Sequence, residues 1–388
     1  MEEERQAFLD GEPTDLRRRF DFKFNQFIKS FTITMLSLIL IVAGIGGVFV
    51  VRITGGIPTA PEIPSITALP PISRPQHDPN TNQDEGYTDD NPDFMSGFEL
   101  TAPERFTDED RKENFFTFLI VGLNEGTNAN TVMVASIDTN SGETHVISIP
   151  RDSLLNVTRN NRKLSASYMV GAGGNRGRAG GVANVQREVR GVIGFMPDFY
   201  IIIDYDAFFA VIDVIGGVEV YVPFHMRYDD PLQDLHIDIQ PGLQLMDSKT
   251  ALHFARFRRA NTGFTGISDY ERIKNQQTVI DAVIASIISP RNLLRTTEFV
   301  RVFDNSVYSN LERLHMSWFL LQFNAFSPQA FRESVQFHTT PMLGTTGSPF
   351  YYERLNANGI VELVNRTVNP FDRPILRSDL NIITEIPE

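Results

Sequence analysis

Apolar and polar positions divide the chain into an unbroken apolar run, a proline-rich stretch and a long patterned region. Phe31 to Val51 runs for 21 residues without a charged side chain. A helix of that length reaches about 31 Å, the thickness of a bilayer's hydrocarbon core, so the run predicts one transmembrane helix. No small-residue cleavage site follows it cleanly, and it reads as an uncleaved anchor rather than a signal peptide. From Gly55 to about Asp108 the pattern dissolves. Prolines at 58, 61, 64, 70, 71, 75, 79, 92 and 103 remove backbone donors and stiffen the chain, which predicts a spacer with neither sheet nor helix.

The patterned region begins at Phe115 to Gly122 (FFTFLIVG), a near-continuous apolar run suited to a strand buried on both faces. Thr131 to Ile137 and Thr144 to Ile149 predict two more strands. The turn-rich Asp138-Thr139-Asn140-Ser141-Gly142 between them makes a hairpin. Ala183 to Ile193 predicts a helix and Phe199 to Asp204 another buried strand. Asp206 to Ile215 predicts a helix stopped by Gly216-Gly217. A strand over Val218 to Val222, helices over Lys249 to Arg256, Ile273 to Ile288 and Leu311 to Phe323, and a strand over Val335 to Thr340 follow. Strands alternating with helices predict an α/β fold with helices layered around a central mixed sheet. Glycine-rich Gly171 to Gly181 is expected to be a flexible surface loop, with a mobile lid over an anionic substrate as the alternative.

Composition narrows the chemistry. The 388 residues include no cysteine, which removes disulfide scaffolds, Cys-ligated metals and thiol catalysis. A net charge of -13 argues against general nucleic-acid binding, which needs a basic face. Local charge sets orientation: Arg17, Arg18, Arg19, Lys23 and Lys29 precede the apolar run, and only Arg52 and Arg74 follow it before residue 100. The positive flank stays cytoplasmic, so the patterned region is expected outside a single-pass cell membrane protein.

Arginine gathers at chosen points. Arg151-Asp152 sits where a predicted strand ends, the usual place for ligands in α/β sheets. Arg256, Arg258 and Arg259 close a predicted helix, and Asp269, Arg272 and Gln276 come at or near the start of the next. Guanidinium groups grip phosphate bidentately, and a carboxylate such as Asp152 could hold Mg²⁺ against phosphate oxygens. Such parts suit phosphoryl transfer. The plainer reading is surface ion pairs, worth under about 1 kcal/mol each. His236, near Asp229, Asp230 and Asp238, reads as structural or as ordering a loop rather than as binding metal. Tyr205, Phe208, Phe209 and Ile212 read as core or as the wall of an apolar channel, and Trp318 as core.

The blocks SIPRDS (148–153), KLSASY (163–168), YDDPLQDLHIDIQPG (228–242), ALHFARFRR (251–259) and DYERIKNQQ (269–277) occur in an order that resembles the LytR–CpsA–Psr family of bacterial envelope proteins. The resemblance covers roughly Glu113 to Phe371. It implies a three-layer α/β/α domain holding a polyprenyl chain in an apolar tunnel. It also implies transfer of an undecaprenyl-pyrophosphate-linked glycopolymer onto peptidoglycan or another wall sugar. Carried over, Arg151, Lys163, Arg256, Arg258, Arg272 and Gln276 would bind the pyrophosphate. Asp269 would act as base or orient an arginine, and Asp152 would hold Mg²⁺. The expected organisation is a cytoplasmic tail (1–30), a membrane helix (31–51), a linker (52–111), the catalytic domain (112–371) and a C-terminal tail (372–388).

The chain departs from the family pattern. Asn128 and Asn130 stand where an arginine and a metal-binding aspartate are expected, so Asn130 offers Mg²⁺ only a neutral carbonyl. Ser165 replaces an asparagine and Asn275 an arginine. These changes raise the alternative of a non-catalytic module that binds polyprenyl phosphate or glycopolymer.

Overall fold

Strand β1 (Phe115–Asn124) lies at the middle of a six-stranded sheet, and its alternate side chains enter two different cores. Our computed structural model describes residues 59–63, 106–124, 127–230, 235–258, 267–287, 289–293, 295–325, 328–346 and 351–383. The apolar run at 31–51 and most of the expected linker lie outside them. Among the described residues no helix is long and apolar enough to cross a membrane.

In chain order the elements are β1, β2 (Asn128–Asp138), β3 (Thr144–Ile149), α1 (Ser167–Ala172), α2 (Gly177–Ile193), β4 (Phe199–Ile203) and α3 (Tyr205–Ile215). There follow β5 (Val218–Val222), β6 (Met226–Asp230), β7 (Leu235–Ile239), β8 (Gly242–Met246), α4 (Ser248–Arg256), α5 (Asp269–Ile287) and α6 (Thr296–Ser306). The chain continues through β9 (Tyr308–Ser309), α7 (Arg313–Ala325), β10 (Val335–Thr339), β11 (Met342–Thr346), β12 (Tyr352–Leu355) and α8 (Ala357–Thr367).

The sheet order is β10-β3-β2-β1-β4-β9. The β1–β4 and β10–β3 pairs are parallel, and the remaining pairs are antiparallel, so the sheet is mixed as the sequence predicts. Period-two alternation sends Leu119, Val121, Val132, Val134 and Ile147 to one face, where α2 and α8 pack. Phe116, Phe118, Met133, Val146 and Phe199 go to the other, against Phe319 and Trp318 of α7 and Ile280 of α5. Both faces are covered, which is why the strands read as nearly unbroken apolar runs. Ile63, from the expected linker, packs on this second face.

The strand expected at Val218 to Val222 forms, but outside the main sheet. It pairs with β8, while β6 pairs with β7. These two ribbons cover a further core built from α3, α4 and α5. The helix expected from Ile273 begins four residues earlier, at Asp269, where Ser268 and Glu271 exchange hydrogen bonds across its first turn.

Gly171 to Gly181 corrects the expectation of a flexible loop. The stretch ends α1 and begins α2, so most of it is helical. A Cβ on Gly180 would come within 2.4 Å of the Gly171 carbonyl oxygen, and one on Gly181 within 2.8 Å of the Tyr168 ring. Gly171, Gly180 and Gly181 are there because two helices meet at close quarters, while Gly174 and Gly177 take the positive φ of the turn between them.

Candidate active site

The parallel neighbours β1 and β4 end side by side, and a cavity of about 760 Å³ opens beyond their C-terminal ends. That is the place α/β topology favours for a ligand. Its apolar lining includes Ile120, Leu123, Phe208, Leu235, Leu252, Val279 and Ile280. Its polar lining brings together Asn130, Arg151, Arg256, Arg258, Arg272 and Gln276. These residues come from four separate stretches of sequence. An apolar body with guanidinium groups on its wall suits an amphiphile with an anionic head.

Local backbone explains the arrangement. Helix α4 starts at the cap Asp247, whose carboxylate accepts from the Thr250 N–H at 2.7 Å, and stops after Arg256. Phe257 is extended and fully buried, so Arg256 and Arg258 emerge on the same side of it. The guanidinium of Arg256 lies 5.2 Å from the centre of the Tyr205 ring, at the start of α3. Tyr205 and Phe208 line the cavity as the channel reading expects, whereas Ile212 is wholly buried core.

At the edge between β1 and β2 the register slips: Gly122 pairs with Thr131, but Leu123 pairs with Ala129. Asn130 is the extra residue of this bulge, and the bulge turns it to the cavity. Its Oδ1 accepts a 3.1 Å hydrogen bond from Arg151 Nη1. Asn130 therefore positions an arginine. Asn128 pairs with Asn124 at the strand start, and Asn275 reaches the Phe254 carbonyl at 3.5 Å.

A layer of carboxylates backs the arginines. Asp269 lies 3.4 Å from Arg258 and 3.3 Å from Arg272. Asp152 accepts from Lys163 Nζ at 2.7 Å and lies 3.6 Å from Arg151 Nε. Burial raises the Asp152 carboxyl, but the Lys163 hydrogen bond and the charges of Arg151 and Lys163 outweigh it and hold it below the usual range. Burial, then the charge of Arg151, draw Arg272 below the ordinary arginine value. Lys163 acts from behind the cavity, through Asp152, rather than from its wall.

One member of the site has no signal in the sequence. Glu353, on β12, is buried beside these groups, and burial followed by the charges of Asp269 and Asp152 pushes its carboxyl up to about 7. The buried Arg151 Nε, Arg272 Nε, Asp269 Oδ1 and Glu353 Oε2 all lack a hydrogen-bond partner. Buried polar atoms left unpaired are costly and rare, and four of those among the described residues belong to this site. Among the described residues no three His, Cys, Asp or Glu side chains gather closely enough to hold a metal ion by themselves. Mg²⁺ commonly takes only one or two carboxylates and completes its shell with water and substrate phosphate, and Asp152 fits that part.

The LytR_cpsA_psr family model matches residues 93–367. The chain is similar to the probable cell wall biosynthesis protein LcpB of Corynebacterium glutamicum. Identity is 31% over 179 residues, 46% of this chain and 39% of that protein. It is also similar to TagV of Bacillus subtilis, a polyisoprenyl-teichoic acid–peptidoglycan teichoic acid transferase. Identity there is 23% over 213 residues, 52% of this chain and 51% of that one. The chain thus spans about half the length of these curated relatives or less. The crystal structure of B. subtilis TagV shares the fold with a TM-score of 0.53 and 20% identity, over 65% of this chain and 95% of that one.

Proposed function

The chain belongs to the LytR_cpsA_psr family, and from that premise we propose that it is a membrane-anchored transferase outside the cytoplasmic membrane. Its donor is a polyprenyl-pyrophosphate-linked glycopolymer and its acceptor a hydroxyl of peptidoglycan or another wall sugar. The observation that carries this reading is one cavity with an apolar body and four arginines, two of them with buried Nε atoms that make no hydrogen bond.

In this reading Arg151, Arg256, Arg258 and Arg272 bind the pyrophosphate through charge-assisted hydrogen bonds, with Gln276 beside them. The polyprenyl chain lies along Phe208, Leu235, Leu252 and Val279. The acceptor hydroxyl oxygen attacks the sugar-bearing phosphorus as its proton passes to the departing polyprenyl phosphate. The bond from that phosphorus to the bridging oxygen breaks, and polyprenyl phosphate leaves with the electron pair. Asp269, already placed against Arg258 and Arg272, orients the two guanidiniums that meet the charge building on the phosphates. Mg²⁺, when bound, would supply further charge stabilisation on the phosphate oxygens, with Asp152 as its protein ligand. The anchor is the run at 31–51.

The bond between Asn130 and Arg151 favours a second reading, a module that retains polyprenyl phosphate without transfer. One assay separates the two. The full chain in detergent is given a polyprenyl-pyrophosphate-linked glycan, Mg²⁺ and peptidoglycan fragments. Transfer is expected, reduced by about a hundredfold in Arg256→Ala and in Asp152→Ala. Retention of lipid with no turnover in any divalent metal would instead establish the binding module.

A further inference from the structure

Each of the two aspartates behind the arginines has cationic partners: Asp152 has Lys163 and Arg151, and Asp269 has Arg258 and Arg272. Glu353 makes no ion pair among the described residues. It is 5% exposed, and its Oε2 is buried without a hydrogen-bond partner. Its placement is not slack. The Glu353 N–H donates to the Asp152 carbonyl at 2.9 Å, and the Leu154 N–H donates to the Glu353 carbonyl at 2.9 Å. A parallel bridge joins it to Ser153 between them. Two backbone bonds therefore clamp β12 to the Arg151–Asp152 segment and hold the Glu353 carboxyl where the charges of Asp269 and Asp152 act on it. The charges of Arg272 and Arg151 offset part of this repulsion, but neither makes an ion pair with Glu353 among the described residues, so its carboxyl keeps room for a further cation.

We propose that Glu353 is a ligand for a divalent cation shared with Asp152, supplying the carboxylate that Asn130 does not. Asn130 is unsuited because Arg151 occupies its carbonyl oxygen. On Asp152, Lys163 takes Oδ1, while Oδ2 lies 3.6 Å from Arg151 Nε, beyond hydrogen-bond range. Two carboxylates from adjacent, mutually bonded segments, with water or phosphate oxygens for the rest, are what a hard cation such as Mg²⁺ accepts. The inference rests on the transferase reading for what the cation does, but not for whether it binds.

The test uses the full chain in detergent and Mn²⁺ alone, with the free-ion signal followed by electron paramagnetic resonance. Wild type is expected to bind Mn²⁺, and Glu353→Gln to bind it at least about tenfold more weakly, a loss that even outer partners of metal sites produce. Asn130→Asp in the Glu353→Gln background should restore affinity. Circular dichroism checks folding. If Glu353→Gln fails to fold, Glu353→Asp decides, with weakened binding expected and unchanged binding overturning the inference. Wild type that takes up no Mn²⁺, Glu353→Gln that binds like wild type, or a double variant no tighter than Glu353→Gln would also overturn it. None of these measurements needs donor or acceptor, so failure here leaves the transferase reading standing, and failed transfer leaves this one standing.

Discussion

On the β6–β7 ribbon, histidines and aspartates face one another across the strands. His236 meets Asp229, and His225 meets Asp238 at 2.6 Å. All four side chains are largely in water. The cavity draws on similar side-chain types, with arginine in place of histidine, but there Arg272 and Asp269 are about nine-tenths buried and several polar atoms stay unpaired. Solvent absorbs an exposed charge whether or not a partner stands near, whereas a buried one must be matched. Density of charge therefore does not distinguish the two regions. Unmet hydrogen-bonding capacity does: the cavity's buried polar atoms lack partners, whereas water can meet those of the ribbon.

Three measurements would break or sharpen that contrast. The largest effect is expected from Arg272→Ala, which leaves Asp269 without its most buried partner. Chemical denaturation should show a loss of about 3 kcal/mol, and a loss no greater than a ribbon variant's would remove the distinction. Next is the pH dependence of Glu353. Folding raises the proton affinity of this carboxyl from the ordinary 4.5 to about 7. Wild type should then lose stability relative to Glu353→Gln as pH climbs from 4.5 through 7, and the gap should level off above. Melting curves across that range in EDTA read it directly, and a constant gap would place Glu353 in water. The smallest effect is expected from His236→Ala. Its melting midpoint should move by no more than about 2 °C, less still in high salt, and transfer should be unchanged.

The sequence announces what depends on local pattern. Strands buried on both faces appear as FFTFLIVG and FYIIID, and the helix carrying Arg256 ends at the residue the sequence predicts. The arginines were recognisable from their blocks, and the cavity then brings Arg151, Arg256, Arg258 and Arg272 together. Glu353 was not recognisable, because its role depends on β12 pairing with residues far earlier in the chain. Tyr351-Tyr352-Glu353-Arg354 carries no motif. The bulge at Asn130 was equally hidden, since register is a property of two strands and not of one. Composition also misjudged Gly171 to Gly181, because a glycine needed for close approach looks the same as one needed for a turn.

That glycine crossing bears on how the domain tolerates change. Helices α1 and α2 adjoin the segment carrying Lys163. Ser167, at the start of α1, joins Arg159 on Glu188 of α2. Two rods touching spine to spine have no cushion of side chains between them, so a displacement of one is passed undiminished to the other. The stretch that resembles spare cord is a stiff bracket, and surface graftings or lengthened sequences are best directed to the opposite end of the domain.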